Sequence, residues 1–179
     1  MRKVWRSMDN LRDLREASGE EEVARKYRRV AVGGTFEFLH KGHRVLLEKA
    51  LEIGEKVLVG LTTDELADRL GKKLSKSYDE RYRQLKQFFE RLGVIDRVEI
   101  KPLNDVYGLD ILVYNPEYEA IVVSEETKRR AFEINEMRRG RGLRELDIVV
   151  VPLIMAEDGK PISSTRIKQG IIDEEGRLL

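Results

Sequence analysis

From Arg28 onward, short β-branched runs alternate with stretches whose apolar positions recur at helical spacing. Residues 30–32, 56–62, 98–100, 120–123 and 147–151 are the apolar runs, and they predict five strands. Between them, residues 43–53 place Val45, Leu46, Leu47, Ala50 and Leu51 on one inward stripe. A short helix is expected over 64–70, capped by Thr63 or Asp64, and a longer one over 79–92 with Tyr82, Leu85, Phe88, Phe89 and Leu92 on one side. A fourth helix spans 127–139, and Ser163 is the N-cap of a helix running to Gly170. This alternation implies right-handed crossovers and a parallel five-stranded α/β sheet. Ligands of such sheets bind at the carboxyl ends of the strands.

Residues 1–27 read differently. Val4, Met8 and Leu11, with Trp5 and Leu14, mark one helical stripe, and Ser18 and Glu21 have capping-box spacing ahead of a second short helix carrying Val23 and Tyr27. The chain therefore divides into a charged helical extension, residues 1–27, and one domain, residues 28–179. The extension is either an add-on that packs on the domain or frays, or a docking helix for a partner.

Composition narrows the chemistry. Across 179 residues, 34 Lys and Arg face 33 Asp and Glu, a net charge of +1 that argues against a broad nucleic-acid or membrane surface. The absence of cysteine excludes disulfides, thiolate metal sites and cysteine nucleophiles. The longest mostly apolar stretch, residues 148–156, is too short to span a bilayer, and no apolar leader follows the basic N-terminus, so a cytoplasmic location is expected. Charged residues at 37% with three Gln and four Asn suit the ion-pair-rich surface of a thermophile.

Three stretches carry candidate chemistry. The run Gly33-Gly34-Thr35-Phe36-Glu37-Phe38-Leu39-His40-Lys41-Gly42-His43 begins where the first strand ends and enters the first helix. Glycines there let backbone approach a ligand, and the helix start offers free N–H groups. The only two histidines of the chain lie in this turn, three apart, where neutral or charged imidazoles donate to phosphate oxygens. A His-x-x-His zinc pair would need carboxylates such as Glu37 to complete it, and no metal site is expected. The second stretch, residues 158–168, places Ser163, Ser164 and Thr165 at a helix start, with Arg166 and Lys168 adding positive charge. The third, residues 72–81, puts Lys72, Lys73, Lys76 and Arg81 on and just after a loop, where cations offset charge in a transition state.

The first stretch resembles the HxGH signature of the nucleotidyltransferase superfamily, with Glu37 where Asp is usual. The second is similar to the I-S-S-T-x-I/V motif of adenylyltransferases. The pairing of Ser124-Glu125-Glu126-Thr127 with a later Ile134-Asn135 resembles the archaeal and eukaryotic branch of phosphopantetheine adenylyltransferases. Two further likenesses are out of place and carry nothing: Lys73 to Ser77 against the synthetase K-M-S-K-S, and Arg141 to Arg144 against a bacterial R-G-L-R.

The resemblance covers residues 28–177 and implies a Rossmann-like fold with helices on both faces of the sheet. It implies transfer of AMP from ATP to 4′-phosphopantetheine, with Mg²⁺ accompanying ATP, as a step of coenzyme A biosynthesis. In that reading Thr35 orients the attacking phosphate and His43 donates to the oxygens that gain charge. His40, with Ser163 to Thr165, holds the ATP phosphates, and Gly33, Gly34, Ser124 and Glu126 complete the ATP site. Lys72 or Lys76, together with Arg81 and Arg166, offsets developing charge. The alternatives are another acceptor (nicotinamide mononucleotide, FMN or glycerol 3-phosphate) or a non-catalytic module that binds ATP or coenzyme A. No nucleic-acid or membrane partner is expected, and both monomer and homo-oligomer remain open.

Overall fold

The strands β1 (Tyr27–Gly34), β2 (Gly54–Thr62), β3 (Val98–Leu103), β4 (Ala120–Ser124) and β5 (Asp147–Val151) form one sheet, ordered β3-β2-β1-β4-β5 and parallel throughout. The computed structural model describes residues 24–179. The central strands are apolar on both sides because both faces are covered, as all-parallel sheets require. Val30, Val32, Val57, Val59 and Val122 pack against α1 (Lys41–Ile53) and α3 (Tyr78–Arg91). Ala31, Leu58, Ile121 and Val123 pack on the opposite face with Ala131 and Ile134 of α4 (Lys128–Gly140) and with Leu112 and Val113. The short α2 (Asp64–Arg69) is capped by Thr63, whose hydroxyl accepts from Leu66 N–H. α3 carries a full capping box between Ser77 and Glu80.

Three features depart from expectation. Tyr27 is not helical but opens β1 opposite Gly54, with its ring buried and its hydroxyl donating to Asp147 Oδ2 at 2.8 Å. Strand pairing and burial there outweigh a local helical pattern. Of the rest of the extension, residues 1–23 lie outside the described residues. A 3-10 turn, Ile95–Arg97, precedes β3, and a π-helical turn, Leu109–Val113, follows it. Arg138 of α4, fully buried, ties that π turn down by donating to the carbonyls of Leu112, Asn115, Tyr118 and Arg144. After β5 the chain leaves the sheet and forms α5 (Ser164–Lys168) over a small cluster of Ala156, Ile162 and Ile172.

This topology has its switch at β1, which pairs with β2 on one side and β4 on the other. The carboxyl ends of these strands open into a cavity of about 670 Å³.

Candidate active site

The floor of the cavity is the loop from β1 into α1. Phe36 is fully buried and adopts φ +48°, a left-handed conformation that aromatic residues rarely take. Its ring lies over Gly34, where a Cβ would sit 3.0 Å from Phe36 Cζ, so a side chain there would press on the buried ring. Thr62 Oγ1 donates to the Gly34 carbonyl at 3.1 Å, and Phe36 meets the His43 ring edge-on, centroids 5.1 Å apart.

His40 is the N-cap of α1. Its Nδ1 accepts from the His43 N–H at 3.3 Å, so its proton resides on Nε2. His43 stacks on His40 with centroids 3.7 Å apart, and its Nδ1 donates to the Phe38 carbonyl at 2.5 Å. Burial pushes His40 down to about 3, helped by nearby His43 and Arg44. Burial likewise takes His43 down to about 4 against the opposing pull of the Phe38 carbonyl, with Lys72 adding to the depression. Both rings are therefore neutral at pH 7. This corrects one expectation: a neutral His43 has committed its only N–H to Phe38, so it donates elsewhere only after taking a proton on Nε2.

A pH effect on stability follows. Both folded values lie below the ordinary 6.5, so the native state binds fewer protons than the unfolded chain. The contribution is present above pH 6.5 and is lost as pH falls toward 4. Urea midpoints should drop between pH 7 and pH 5, and less so in a His40→Gln variant. An identical pH dependence in variant and wild type would contradict this account.

The loop between α2 and α3 forms one wall. Lys72 Nζ donates to Thr35 Oγ1 at 2.8 Å, and both residues line the cavity. Burial lowers the Lys72 pKa, Arg130 and Arg81 lower it further, and Glu37 opposes them. Glu37 is buried and binds the same loop: its Oε1 accepts from Ser75 N–H at 2.7 Å and Ser75 Oγ at 2.8 Å. Its Oε2 lies 3.1 Å from Lys168 Nζ. Burial works against its charge, but the Ser75 hydrogen bonds and Lys168 outweigh burial and hold the carboxyl below its ordinary range.

Three residues expected at the phosphates are not among those lining the cavity. Arg81 is fully buried on α3 and donates to the carbonyls of Thr35 (2.9 Å), Thr62 (2.7 Å) and Lys76 (3.3 Å), and to Asp64 Oδ1 at 2.7 Å. Lys76 donates to Gln84 Oε1 and lies over the Phe38 ring. Arg166 donates to Asp158 Oδ2 at 2.5 Å and to the Pro161 carbonyl at 3.1 Å. Their cations are engaged by the protein itself.

The remaining expected residues do come together. Gly33, Gly34, Thr35, His40, His43, Lys72, Ser124, Glu126, Ser163, Ser164 and Thr165 all line the one cavity, fed by the ends of β1, β4 and β5. Ser163 caps α5 by accepting from Arg166 N–H at 3.3 Å. Sequence reasoning missed Arg130, in the first turn of α4, which lines the cavity and lies near enough to Lys72 to lower its pKa. It also missed the apolar lobe of Leu103, Tyr107 and Ile111. Arg130 sits in the run Lys128-Arg129-Arg130, which reads as a solvated face, so only the fold singles it out.

Comparison with known proteins accords with this geometry. Residues 31–170 match the cytidylyltransferase-like family. The phosphopantetheine adenylyltransferase of Methanopyrus kandleri is 48% identical over 149 residues, covering 83% of this chain and 93% of that protein. The enzyme of the same name from Methanothermobacter thermautotrophicus is 44% identical over 157 residues, covering 88% and 93%. A crystal structure of a protein of unknown function from Archaeoglobus fulgidus superposes with a TM-score of 0.62 at 33% identity, covering 69% of this chain and 88% of that one. With its HxGH loop and Ser-Ser-Thr helix start on one cavity, the chain belongs to the cytidylyltransferase-like family, in the branch of the archaeal phosphopantetheine adenylyltransferases.

Proposed function

We propose that this chain transfers AMP from ATP to 4′-phosphopantetheine, giving dephospho-coenzyme A and pyrophosphate. The observation that carries the reading is the convergence of His40, His43, the Lys72–Thr35 contact and the Ser163–Thr165 hydroxyls on one cavity at the strand ends. The acceptor phosphate is already a nucleophile. Its oxygen forms a bond to the α-phosphorus as the bond to the bridging α–β oxygen breaks, and pyrophosphate leaves with that electron pair. No general base is required, so catalysis is positioning and charge stabilisation.

In this reading Lys72 and Thr35 hold the acceptor phosphate beside the α-phosphate. His40 offers its Nε2–H to the polyphosphate from the start. His43 takes a proton on Nε2 from solvent as phosphate charge enters, donates it as a hydrogen bond to the oxygens that gain charge, and returns it to solvent once pyrophosphate has left. Ser124 and Glu126 flank the nucleotide, and Ser163, Ser164 and Thr165 receive the outer phosphates. Arg81 acts from behind, as a positioning residue that fixes the Thr35 carbonyl.

Mg²⁺ belongs to the reading as the counter-ion of ATP. Among the described residues no three His, Asp or Glu side chains are grouped to hold a metal, and both oxygens of Glu37 are engaged. The residues present form no cage for the ion, and no step here runs through one. Among the described residues no helix is long and apolar enough to cross a membrane.

The test is pyrophosphate release from ATP and Mg²⁺ with 4′-phosphopantetheine, nicotinamide mononucleotide, FMN and glycerol 3-phosphate in parallel, repeated with CTP. Release with ATP and 4′-phosphopantetheine alone is expected. Release with another acceptor would replace the substrate, and ATP binding without release would leave a nucleotide-binding module.

A further inference from the structure

Apart from the Lys72–Thr35 hydrogen bond, the α2–α3 loop has few side-chain ties across the cavity. Residues 71–73, 75 and 77 are exposed, and Leu74 and Lys76 are only half-buried. Its near end is pinned to α2 through Gly71 N–H to the Asp68 carbonyl and Lys72 N–H to the Ala67 carbonyl. Its far end is pinned by Arg81 on the Lys76 carbonyl and by the α3 capping box. Between these ends, the hydrogen bonds that tie Lys73 and Ser75 to distant parts of the chain run to Lys168 and Glu37. Lys168 Nζ donates to the Lys73 carbonyl at 2.6 Å while contacting Glu37 Oε2, and Ser75 donates twice to Glu37 Oε1.

Two facts make this arrangement more than surface decoration. Glu37 is 3% exposed, so taking away its cationic partner would leave a carboxylate shielded from solvent and short of compensation. Moreover, the pair joins three separate pieces of the cavity: Glu37 belongs to the β1–α1 loop, Lys73 and Ser75 to the Lys72 loop, and Lys168 to the last turn of α5, whose start carries Ser163–Thr165. The two oxygens of the Glu37 carboxylate divide the work, Oε1 meeting Ser75 and Oε2 meeting Lys168.

We propose that the Glu37–Lys168 pair is a latch that holds the Lys72 loop against the β1–α1 loop, making Glu37 and Lys168 positioning residues for the reaction. Lys168 therefore serves the phosphates indirectly, by spending its charge on Glu37 and its second contact on the Lys73 carbonyl. The kinetic part of this proposal rests on the adenylyl-transfer reading; the latch itself does not.

The experiment combines a double-mutant cycle with proteolysis. Lys168→Met keeps the apolar stem and removes the charge. It should lower kcat about tenfold while the KM for ATP moves less than about threefold, the signature of a contact needed mainly in the transition state. In a Lys72→Ala background the same change should alter kcat by less than about twofold, because a latch has nothing left to position. Lys168→Arg, which retains charge and reach, should recover most of the loss. Limited trypsin digestion of the free protein should cut within residues 72–76 faster in Lys168→Met than in wild type. Full additivity in the cycle overturns the latch, and so does an unchanged cleavage rate. If wild-type protein releases no pyrophosphate, the adenylyl-transfer reading fails, and the cleavage rates alone decide the latch: faster cleavage sustains it, and equal rates refute it.

Discussion

Replacing His43 with alanine should lower kcat by at least about tenfold, a loss of roughly 1.4 kcal/mol of transition-state stabilisation, with a smaller effect on the KM for ATP. The reason lies in the bonding of the ring. His43 Nδ1 is held by the Phe38 carbonyl and its faces are fixed by His40 and Phe36, so Nε2 is the nitrogen left for substrate. Free, the ring sits near pKa 4 and is neutral. In the proposed mechanism the ring is protonated once phosphate is bound, and its hydrogen bond strengthens as negative charge builds on the transferring phosphoryl group, so the larger part of its effect is expected in the transition state. His43→Gln should not restore turnover, because an amide cannot change its charge with the state of the substrate. Rapid-quench measurement of AMP transfer, with ATP affinity measured separately, checks both parts. Turnover near wild type in His43→Ala would remove His43 from the mechanism.

Replacing Arg81 should act first on the fold. Arg81→Met takes away four hydrogen bonds and leaves the carbonyls of Thr35, Thr62 and Lys76 without this donor. Each carbonyl that stays buried without a donor costs about 1–3 kcal/mol, so the loss should total about 3–5 kcal/mol. At roughly 2–4 °C per kcal/mol for a domain of this size, the melting temperature should fall by about 10 °C. The partner Asp64 is half-exposed and keeps the hydrogen bond from Tyr78 N–H, so it is not stranded as a buried lone charge. Protein that survives should also turn over slowly, because Thr35 loses the anchor on its carbonyl. Scanning calorimetry on Arg81→Met and Arg81→Lys checks the size of the effect. A midpoint within about 2 °C of wild type would show that the carbonyls find other donors.

Arg81 also shows where sequence reading succeeds and where it stops. The strands and most helices were legible because their apolar patterns are local. The HxGH and Ser-Ser-Thr stretches were legible because each is contiguous and stands at a strand-to-helix turn or a helix start. The charge of Arg81 and its spacing after the Lys72-Lys73 pair point to a cation that offsets phosphate charge, whereas the fold buries it against carbonyls. Its position held the better clue, since it lies three residues after Tyr78 and four before Leu85, on the stripe that α3 buries. Arg138 repeats the pattern on α4, following Ala131, Ile134 and Asn135 at helical spacing. The Glu37–Lys168 contact had no local signal, because it forms only when α5 returns to the sheet. The π turn was equally hidden, since its hold on α4 comes from carbonyls that any sequence supplies.

The central place of β1 has a consequence for how the molecule assembles. β1, α1 and β2 are contiguous, so Val30 finds Val57 after closing a modest loop. The other flank of β1 must wait for β4, where Val30 meets Ala120 only after α2, α3 and β3 have intervened. Loop-closure entropy therefore falls most heavily on the β1–β4 ladder, and contacts of such long range slow folding. The β1–α1 loop belongs to the half that topology expects to form early, and the wall bearing Ser124 and Arg130 to the half expected to dock late, so the floor of the cavity should be in place before its far wall closes over it.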